Sequence, residues 1–129
     1  MKKKTKNIPF EFALDYLEPL HPVLKPMFGY WSVYIGGKIV LILREHETHR
    51  ESNGVWISTT PRHHESMKQE IPSMCSISLL TNGKAETNWQ MIPADANDFE
   101  SSVRKVCEMI LKGDKRIGKY TPLNPLKGT

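Results

Sequence analysis

A chain of 129 residues, of which 39% are hydrophobic and 25% charged, has the length and composition of one globular domain with its own core. No apolar run approaches the roughly 18 to 20 residues of a membrane helix, and the basic N-terminus is not followed by the apolar segment of a signal peptide. These features argue against a membrane protein and predict a cytoplasmic one.

The formal net charge of +4 conceals an uneven distribution. Residues 1–6 and 112–129 together carry nine basic side chains and one acidic one, whereas residues 7–111 carry nine basic and thirteen acidic ones. Nucleic-acid-binding folds usually carry their basic residues on one structured face, because phosphate contacts dominate the affinity. Positive charge at the ends of a chain is also typical of flexible, solvated segments, so the charge gives only weak support to a nucleic-acid site.

The first predicted element is a helix that opens at Asn7 as N-cap, with Pro9 in its first turn. Its apolar stripe at helical spacing consists of Phe10, Ala13, Leu14, Leu17 and Leu20. Because proline cannot continue a helix, Pro19 and Pro22 predict that this helix ends near residues 18–21.

Residues 23–28 are predicted to form a short strand, and Pro26 places it at an edge of the sheet. The strongest hairpin signal follows at residues 30–43, where two apolar runs flank Gly36-Gly37. A two-residue turn at these glycines sets three facing pairs on one side, namely Ile35 with Lys38, Val33 with Val40 and Trp31 with Ile42. The other side carries Ser32 and five apolar residues, namely Tyr30, Tyr34, Ile39, Leu41 and Leu43.

Neither side of this hairpin is polar, although a half-exposed hairpin normally has one polar face. Either helices cover both sides, or one side meets another subunit. An apolar patch of this size on a small protein usually marks an interface. We therefore favour a homodimer through the side that carries Tyr30, Tyr34, Ile39, Leu41 and Leu43, and burial under the first or the last helix is the alternative.

The middle of the chain continues the alternation of loops, strands and helices. Residues 45–53 are polar throughout and are predicted to form a surface loop. A strand at residues 55–59 has Val55 and Ile57 on one face and Trp56 on the other. Thr60 and Pro61 then open a helix as N-cap and first helical residue, and Pro72 ends it.

Residues 74–92 are predicted to form a second hairpin. A two-residue turn at Asn82-Gly83 would mix apolar and polar side chains on each face, whereas a three-residue loop with Gly83 in a bulge keeps each face consistent. The bulged loop sets Cys75 opposite Trp89, Ile77 opposite Thr87 and Leu79 opposite Ala85.

The last predicted helix begins at Asp95 as N-cap and runs to about Lys112, with Gly113 as its C-cap. Its apolar stripe consists of Phe99, Val103, Val106, Cys107, Ile110 and Leu111.

The predicted organisation is a basic N-terminal arm (residues 1–8), one domain (residues 9–113) and a flexible C-terminal tail (residues 114–129). The predicted element order is a helix, three or four strands, a helix, two strands and a last helix, and antiparallel hairpins with short helices between them indicate an α+β fold.

Residues 14–43 resemble the opening of the TfoX N-terminal domain-like family, in which a helix leads through a Leu-x-Pro-Val step to a Met-Phe-Gly motif and a Tyr-x-x-Gly-(Gly)-Lys hairpin. Met27-Phe28-Gly29, Tyr34 and Gly36-Gly37-Lys38 stand in those places. A weaker similarity extends over about residues 10–112, where Trp89 to Pro93 and the helix after it match the end of the family's pattern. The resemblance implies an α+β fold with an antiparallel sheet in the order α-β(3)-α-β(2)-α and helices packed on the sheet, and it offers no catalytic residues.

The chain departs from the family in two ways. Tyr30 stands where the family commonly has a second glycine after Met-Phe-Gly, so this turn is expected to be tighter or differently bent. The competence regulator of the family also has a second, C-terminal domain to which these residues do not correspond, so a regulatory role that depends on that domain is not carried over.

The residue types that carry catalysis or bind metals are sparse. His46 and His49 share a loop with two glutamates, but their spacing is not a zinc pattern, and His63-His64 point about 100° apart on a helix. Cys75 and Cys107 form no Cys-x-x-Cys motif and are predicted to be reduced, buried thiols. Neither a nucleophile elbow nor a glycine-rich phosphate loop is present in the sequence. We therefore predict no enzymatic activity, no cofactor and no metal site.

The sequence thus predicts a non-enzymatic interaction or regulatory domain that binds a protein partner or itself through the side of the first hairpin described above. The alternative is a nucleic-acid-associated regulator of transcription or competence that uses its basic ends, with Lys112, Lys115, Arg116 and Lys119 among the contacts. A small metal-dependent hydrolase rests on the histidines alone and is the least favoured reading.

Overall fold

A computed structural model describes residues 8–27, 29–81 and 87–120. The helices are α1 (Phe12–Leu17), α2 (Pro61–Glu70), α3 (Ser78–Thr81) and α4 (Phe99–Leu111), with short 3-10 turns at Glu18–Leu20 and Arg50–Ser52. The strands are β1 (Val23–Met27), β2 (Tyr30–Ile35), β3 (Lys38–Arg44), β4 (Gly54–Ser58), β5 (Trp89–Pro93) and β6 (Lys119–Tyr120). The predicted α+β class with an antiparallel sheet is confirmed.

All strands belong to one antiparallel sheet in the order β1-β2-β3-β4-β5. The short β6 pairs with the beginning of β3, beyond the point where β4 ends. The edge position predicted for β1 is confirmed, and so is the start of α2 at Pro61 with Thr60 before it.

The main core lies between one face of the sheet, here called the helix face, and the helices α1, α2 and α4. It contains the buried residues Ala13, Leu17, Val33, Leu41, Leu43, Val55, Ile57, Met67, Ile92, Val103, Val106 and Cys107. A second cluster on the opposite face contains Ile39, Ile42, Trp56, Ile77 and Met91. Trp56 therefore lies opposite Val55 and Ile57, as its alternation along the strand predicted. Of the stripe predicted for the last helix, Leu111 alone is exposed.

The first hairpin contains a bulge that the sequence analysis did not foresee. Ile35 faces Lys38 as predicted, but the register shifts between Val33 and Tyr34, so Val33 faces Leu41 rather than Val40. The extra residue puts both Val40 and Leu41 in the main core, and every later pair moves by one position. The predicted pairing of Trp31 with Ile42 is wrong for this reason, because Trp31 faces Leu43.

The second hairpin does not form as predicted. Cys75 faces Met91, not Trp89, through two backbone hydrogen bonds of 2.8 Å, and α3 replaces the expected strand at residues 78–81. The alternating apolar residues of this segment cover the second face of the sheet instead of extending its edge, since Ile77 and Leu79 pack in the cluster around Trp56. The loop at Asn82-Gly83 lies outside the described residues. Four strands precede α2, where the residue patterns predicted three or four and the order implied by the family resemblance has three.

The first and last helices are shorter at their N-terminal ends than predicted. Helix α1 begins at Phe12, after Phe10 with a backbone φ of 54°, a left-handed conformation that a helix cannot contain. The predicted N-cap Asn7 lies outside the described residues. Helix α4 begins at Phe99 with Asp98 as N-cap, because a turn closed by the hydrogen bond from Ala96 N to Pro93 O occupies the residues before it.

The chain after α4 folds back onto the domain. The amides of Gly113 and Asp114 donate to Ile110 O and Met109 O, each at 3.0 Å, which is the expected glycine C-cap. Ile117 is then 3% exposed, and Gly118 N donates to Ser58 O at 2.8 Å. The flexible tail predicted from residue 114 is therefore wrong for residues 114–120, since the apolar side chain of Ile117 anchors this segment.

A cluster of ionic hydrogen bonds holds the same segment against α2. The guanidinium of Arg116 donates to the carboxylate oxygens of Asp114 at 2.9 and 2.7 Å and to Glu70 Oε2 at 2.8 Å. The hydrogen bond from Arg116 lowers the pKa of the Asp114 carboxyl from its ordinary value of 3.8. A carboxyl whose pKa is lowered in the folded state stabilises that state when it is ionised.

Replacement of Asp114 by asparagine should therefore destabilise the protein by about 1 kcal/mol at neutral pH. The difference from the wild type should be fully present above pH 3.8 and should vanish as the pH falls through the lowered pKa of the folded state. Urea unfolding at a series of pH values, from pH 7 down to below the lowered pKa, measures the difference and its loss. Asp15→Asn, on the exposed side of α1, is the control, and an equal loss in the two variants would contradict the prediction.

Candidate interaction surface

The five residues predicted to form an interface do not share a surface. Leu41 and Leu43 are completely buried in the main core, because the bulge turns them to the helix face. Tyr30, Tyr34 and Ile39 lie on the second face, where Ile39 is buried and the two tyrosines are half-buried. The shared face predicted for all five is therefore wrong.

The apolar side chains that remain exposed on the second face belong to β1. Val23 faces Tyr34 and Met27 faces Tyr30 across the strand pair, and their side chains are 55% and 38% exposed. Lys25 lies between them, with its ammonium 5.0 Å from the centre of the Tyr34 ring. We call Val23, Lys25, Met27, Tyr30 and Tyr34 the β1 surface. The alternation of residues 23, 25 and 27 is the sequence signal that could have revealed it.

The edge of β1 is poorly suited to pairing with another strand. Strand prolines occur where the missing N–H would face away from the neighbouring strand. Because the direction of the backbone polar groups alternates along a strand, the backbone groups of Leu24 and Pro22 face away from β2 as those of Pro26 do. Of these three residues, Leu24 alone has an N–H to donate. A partner of this edge must therefore bind to side chains rather than extend the sheet.

A cleft of about 460 Å³ adjoins the β1 surface at the end of the strand. It is lined by Pro9, Pro26, Met27, Gly29, Tyr30, Trp31 and Glu45. Met27 and Gly29 belong to the motif on which the family resemblance is based, and Met27 and Tyr30 belong to both the cleft and the β1 surface. The two features therefore form one continuous surface.

Gly29 allows the turn at this cleft to form. Its φ of +88° is one that residues with a side chain rarely adopt, and a Cβ atom at this position would lie 2.7 Å from Cδ2 of His46. The imidazole of His46 thus packs directly against the turn. Its backbone is held by Asn53, which accepts a hydrogen bond from His46 N and donates one to His46 O, both 2.9 Å long.

Arg44 fixes the loop that follows β3. Its side chain is 2% exposed, and its guanidinium donates to Thr48 O at 2.9 Å, His49 O at 2.9 Å and Asn53 Oδ1 at 2.6 Å. The same group lies 5.3 Å from the centre of the Tyr30 ring. Residues 45–53 were predicted to be a surface loop, and most of their side chains are exposed. The buried arginine was missed, and its signal was a charged residue at the end of an apolar strand.

The Tyr30 ring, which lines the cleft, packs against a row of aromatic rings on the second face of the sheet. Tyr30 contacts Trp56 edge-on with 5.4 Å between ring centres, and Trp56 contacts Trp89 at 6.5 Å. The indole N–H of Trp56 donates to Ser52 O at 2.8 Å. Tyr30 is therefore held by both Arg44 and Trp56, and the cleft is largely preformed.

The basic residues predicted to contact nucleic acid are only partly suited to that role. Arg116 is engaged by Asp114 and Glu70, so its charge is already compensated. Lys112, Lys115 and Lys119 have exposed side chains near the end of α4 and on β6. The lysines of residues 1–6 lie outside the described residues.

A second cleft, of about 450 Å³, lies between α2 and β5. It is lined by Pro61, His64, Glu65, Lys68, Cys75, Ser76 and Gln90. Burial raises the pKa of the Cys75 thiol, although the nearby Lys68 opposes this effect, and a thiol that stays protonated is a poor nucleophile.

The other thiol and the remaining candidate ligands have structural surroundings. Burial raises the pKa of Cys107 to about 12, and its thiol donates to Ala13 O in the core at 3.6 Å. Over the part of the chain that the structure describes, no three His, Cys, Asp or Glu side chains are grouped closely enough to hold a metal ion. Within the same residues, no helix is both long and apolar enough to cross a bilayer.

The chain was compared with known proteins at three levels. It matches no protein-family model, no curated protein and no solved structure. The resemblance to the TfoX N-terminal domain-like family therefore stays a prediction, based on the residues around Met27-Phe28-Gly29 and the first hairpin.

Proposed function

We propose that this chain is a non-enzymatic interaction domain of the TfoX N-terminal domain-like type, and that it binds a protein partner at the β1 surface and the adjoining cleft. The observation that carries this proposal is the exposure of Val23 and Met27 beside a preformed cleft. Exposed apolar side chains that border a concave site are typical of interaction surfaces.

The form of the surface favours a partner that inserts a segment into the cleft over a broad contact between two copies of the chain. The burial of Leu41 and Leu43 reduces the apolar surface that is left for a broad contact between two copies, and the prolines disfavour pairing between edges. Because Arg116 is engaged by two carboxylates, a nucleic-acid-binding role has weaker support. The histidine-based hydrolase is disfavoured too, since the described residues contain no grouped ligand set.

Site-directed photo-crosslinking in the cell of origin tests the proposal. Benzoylphenylalanine in place of Met27 should give a covalent adduct with one partner protein, whereas the same group in place of the exposed Gln69 on α2 should not. An adduct of twice the mass of the chain would identify a second copy as the partner. Equal adducts at both positions, or none at either, would contradict the proposal.

A matched variant sharpens the experiment. Val23→Asp should weaken the adduct at position 27, because it replaces an exposed apolar side chain of the β1 surface by a negative charge next to Tyr34. The melting temperature should change little, since this side chain is already exposed. A full adduct in this variant would exclude the β1 surface as the binding site.

A further inference from the structure

Resting on that proposed function, we infer that the cleft at the end of β1 binds a lysine or arginine side chain of the partner segment, with Glu45 as its counter-charge. The partner chemistry is thus a basic residue within an otherwise apolar or neutral segment.

The lining of the cleft has the character that such a side chain requires. Among the described residues that line it, six are uncharged and Glu45 alone carries a charge. Lysine and arginine have a long apolar stem and a charged head. The stem matches walls made by proline, methionine and aromatic side chains, and the head matches a carboxylate at the rim.

The neighbouring Arg44 does not direct its own positive charge to Glu45. Its guanidinium directs its hydrogen bonds to Thr48 O, His49 O and Asn53 Oδ1 rather than to the carboxylate of Glu45. It is also buried beneath the loop, whereas Glu45 is exposed. The carboxylate therefore remains accessible to a cation that approaches from solvent.

The cleft needs little rearrangement to accept a ligand. Asn53 holds the backbone of His46 next to Glu45, and Arg44 and Trp56 hold the Tyr30 ring. A site whose walls are already ordered loses less conformational entropy on binding. A single exposed carboxylate contributes a modest attraction, so weak binding of an isolated basic peptide is expected.

The three tryptophans allow a direct test by NMR, because each gives one indole N–H signal and only Trp31 lines the cleft. The probe is the blocked pentapeptide Ac-Ala-Ala-Arg-Ala-Ala-NH2, and the matched control contains citrulline, a neutral isostere of arginine. The arginine peptide should shift the Trp31 signal and leave those of Trp56 and Trp89 in place. The citrulline peptide should bind about two- to fivefold more weakly.

Variants of the loop assign the effect to Glu45. Glu45→Gln should remove the difference between the two peptides, whereas Glu47→Gln, an exposed neighbour that does not line the cleft, should preserve it. Equal binding of both peptides to the wild type, no shift of Trp31 at millimolar peptide, or shifts at Trp56 or Trp89 instead would each overturn the inference. The crosslink at position 27 does not depend on peptide charge, so it decides the proposed function separately.

Discussion

Replacement of Arg44 by alanine should lower the free energy of unfolding by about 3–5 kcal/mol. The guanidinium supplies hydrogen bonds to Thr48 O, His49 O and Asn53 Oδ1, and the variant removes all three, although Asn53 Oδ1 still accepts from His46 N. A hydrogen bond from a charged group contributes about 1.5–3 kcal/mol, and the apolar stem of the arginine is lost from the packing as well.

Thermal and urea unfolding measure this loss, and the melting temperature should fall by roughly 10 °C or more. Arg44→Lys should lie between the alanine variant and the wild type, because one ammonium cannot reproduce the planar fork of donors. Arg50→Ala changes an exposed arginine in the same loop and should stay within about 0.5 kcal/mol of the wild type. Similar stabilities for Arg44→Ala and Arg50→Ala would show that the loop does not depend on the buried guanidinium.

Gly54→Ala should have a comparably large effect, through the backbone rather than through a lost side chain. Gly54 begins β4 with a φ of +149°, and a Cβ atom there would lie 2.1 Å from Ile92 O and 3.0 Å from Ala94 N. Both contacts are with backbone atoms of the neighbouring segment, which cannot rotate away. The paired strands would have to separate, and we expect a loss of about 3 kcal/mol or more.

Gly36→Ala provides the matched control for this substitution. Gly36 also has a positive φ, of +57°, but a Cβ atom there would meet nothing within 4 Å. Its replacement should therefore cost only the conformational strain, about 1 kcal/mol. If the two alanine variants unfold at the same denaturant concentration, the contact of an added Cβ at position 54 with Ile92 O does not lower the free energy of unfolding, and the prediction is wrong.

The sequence predicted those parts of the fold in which a local pattern has one interpretation. Pro26 placed β1 at an edge, the alternation at residues 55–57 assigned the two faces of β4, and the apolar stripe of α4 packs in the core, with Phe99 partly buried and Leu111 exposed. In each case the period of the apolar residues, or the missing N–H of a proline, decides the structure without knowledge of distant contacts.

The errors arose where two arrangements satisfy the same local pattern. The run from Ile39 to Leu43 is apolar throughout, so a bulge that moves Leu41 to the other face leaves no polar residue misplaced, and the sequence does not reveal it. Likewise, Ile77 and Leu79 are equally apolar in a strand and in a segment that covers Trp56. For the segment that contains Ile77 and Leu79, the position of β5 beside β4 distinguishes the two arrangements, and that is a long-range contact.

The candidate site was less predictable than the fold. Tyr30 was identified as a surface residue, but Val23, Met27 and Glu45 were not connected with it. Val23 and Met27 lie on β1, Tyr30 lies on β2 and Glu45 follows β3, and the folded sheet brings these segments together. The burial of Arg44 could have been suspected, because alternation along β3 places its side chain on the same face of the sheet as Ile42, opposite Tyr30.

The borders of the sheet have a consequence for behaviour at high concentration. At the β5 border, Met91 exchanges both backbone hydrogen bonds with Cys75, Trp89 N is bonded to the Thr87 hydroxyl, and Pro93 has no N–H. At the opposite border, Pro22 and Pro26 leave few donors for an added strand. Over the residues that the structure describes, neither of these two borders offers a continuous row of free N–H groups to an added strand. The molecule can therefore keep Val23 and Met27 in water without the amyloid hazard that such side chains bring to an open strand.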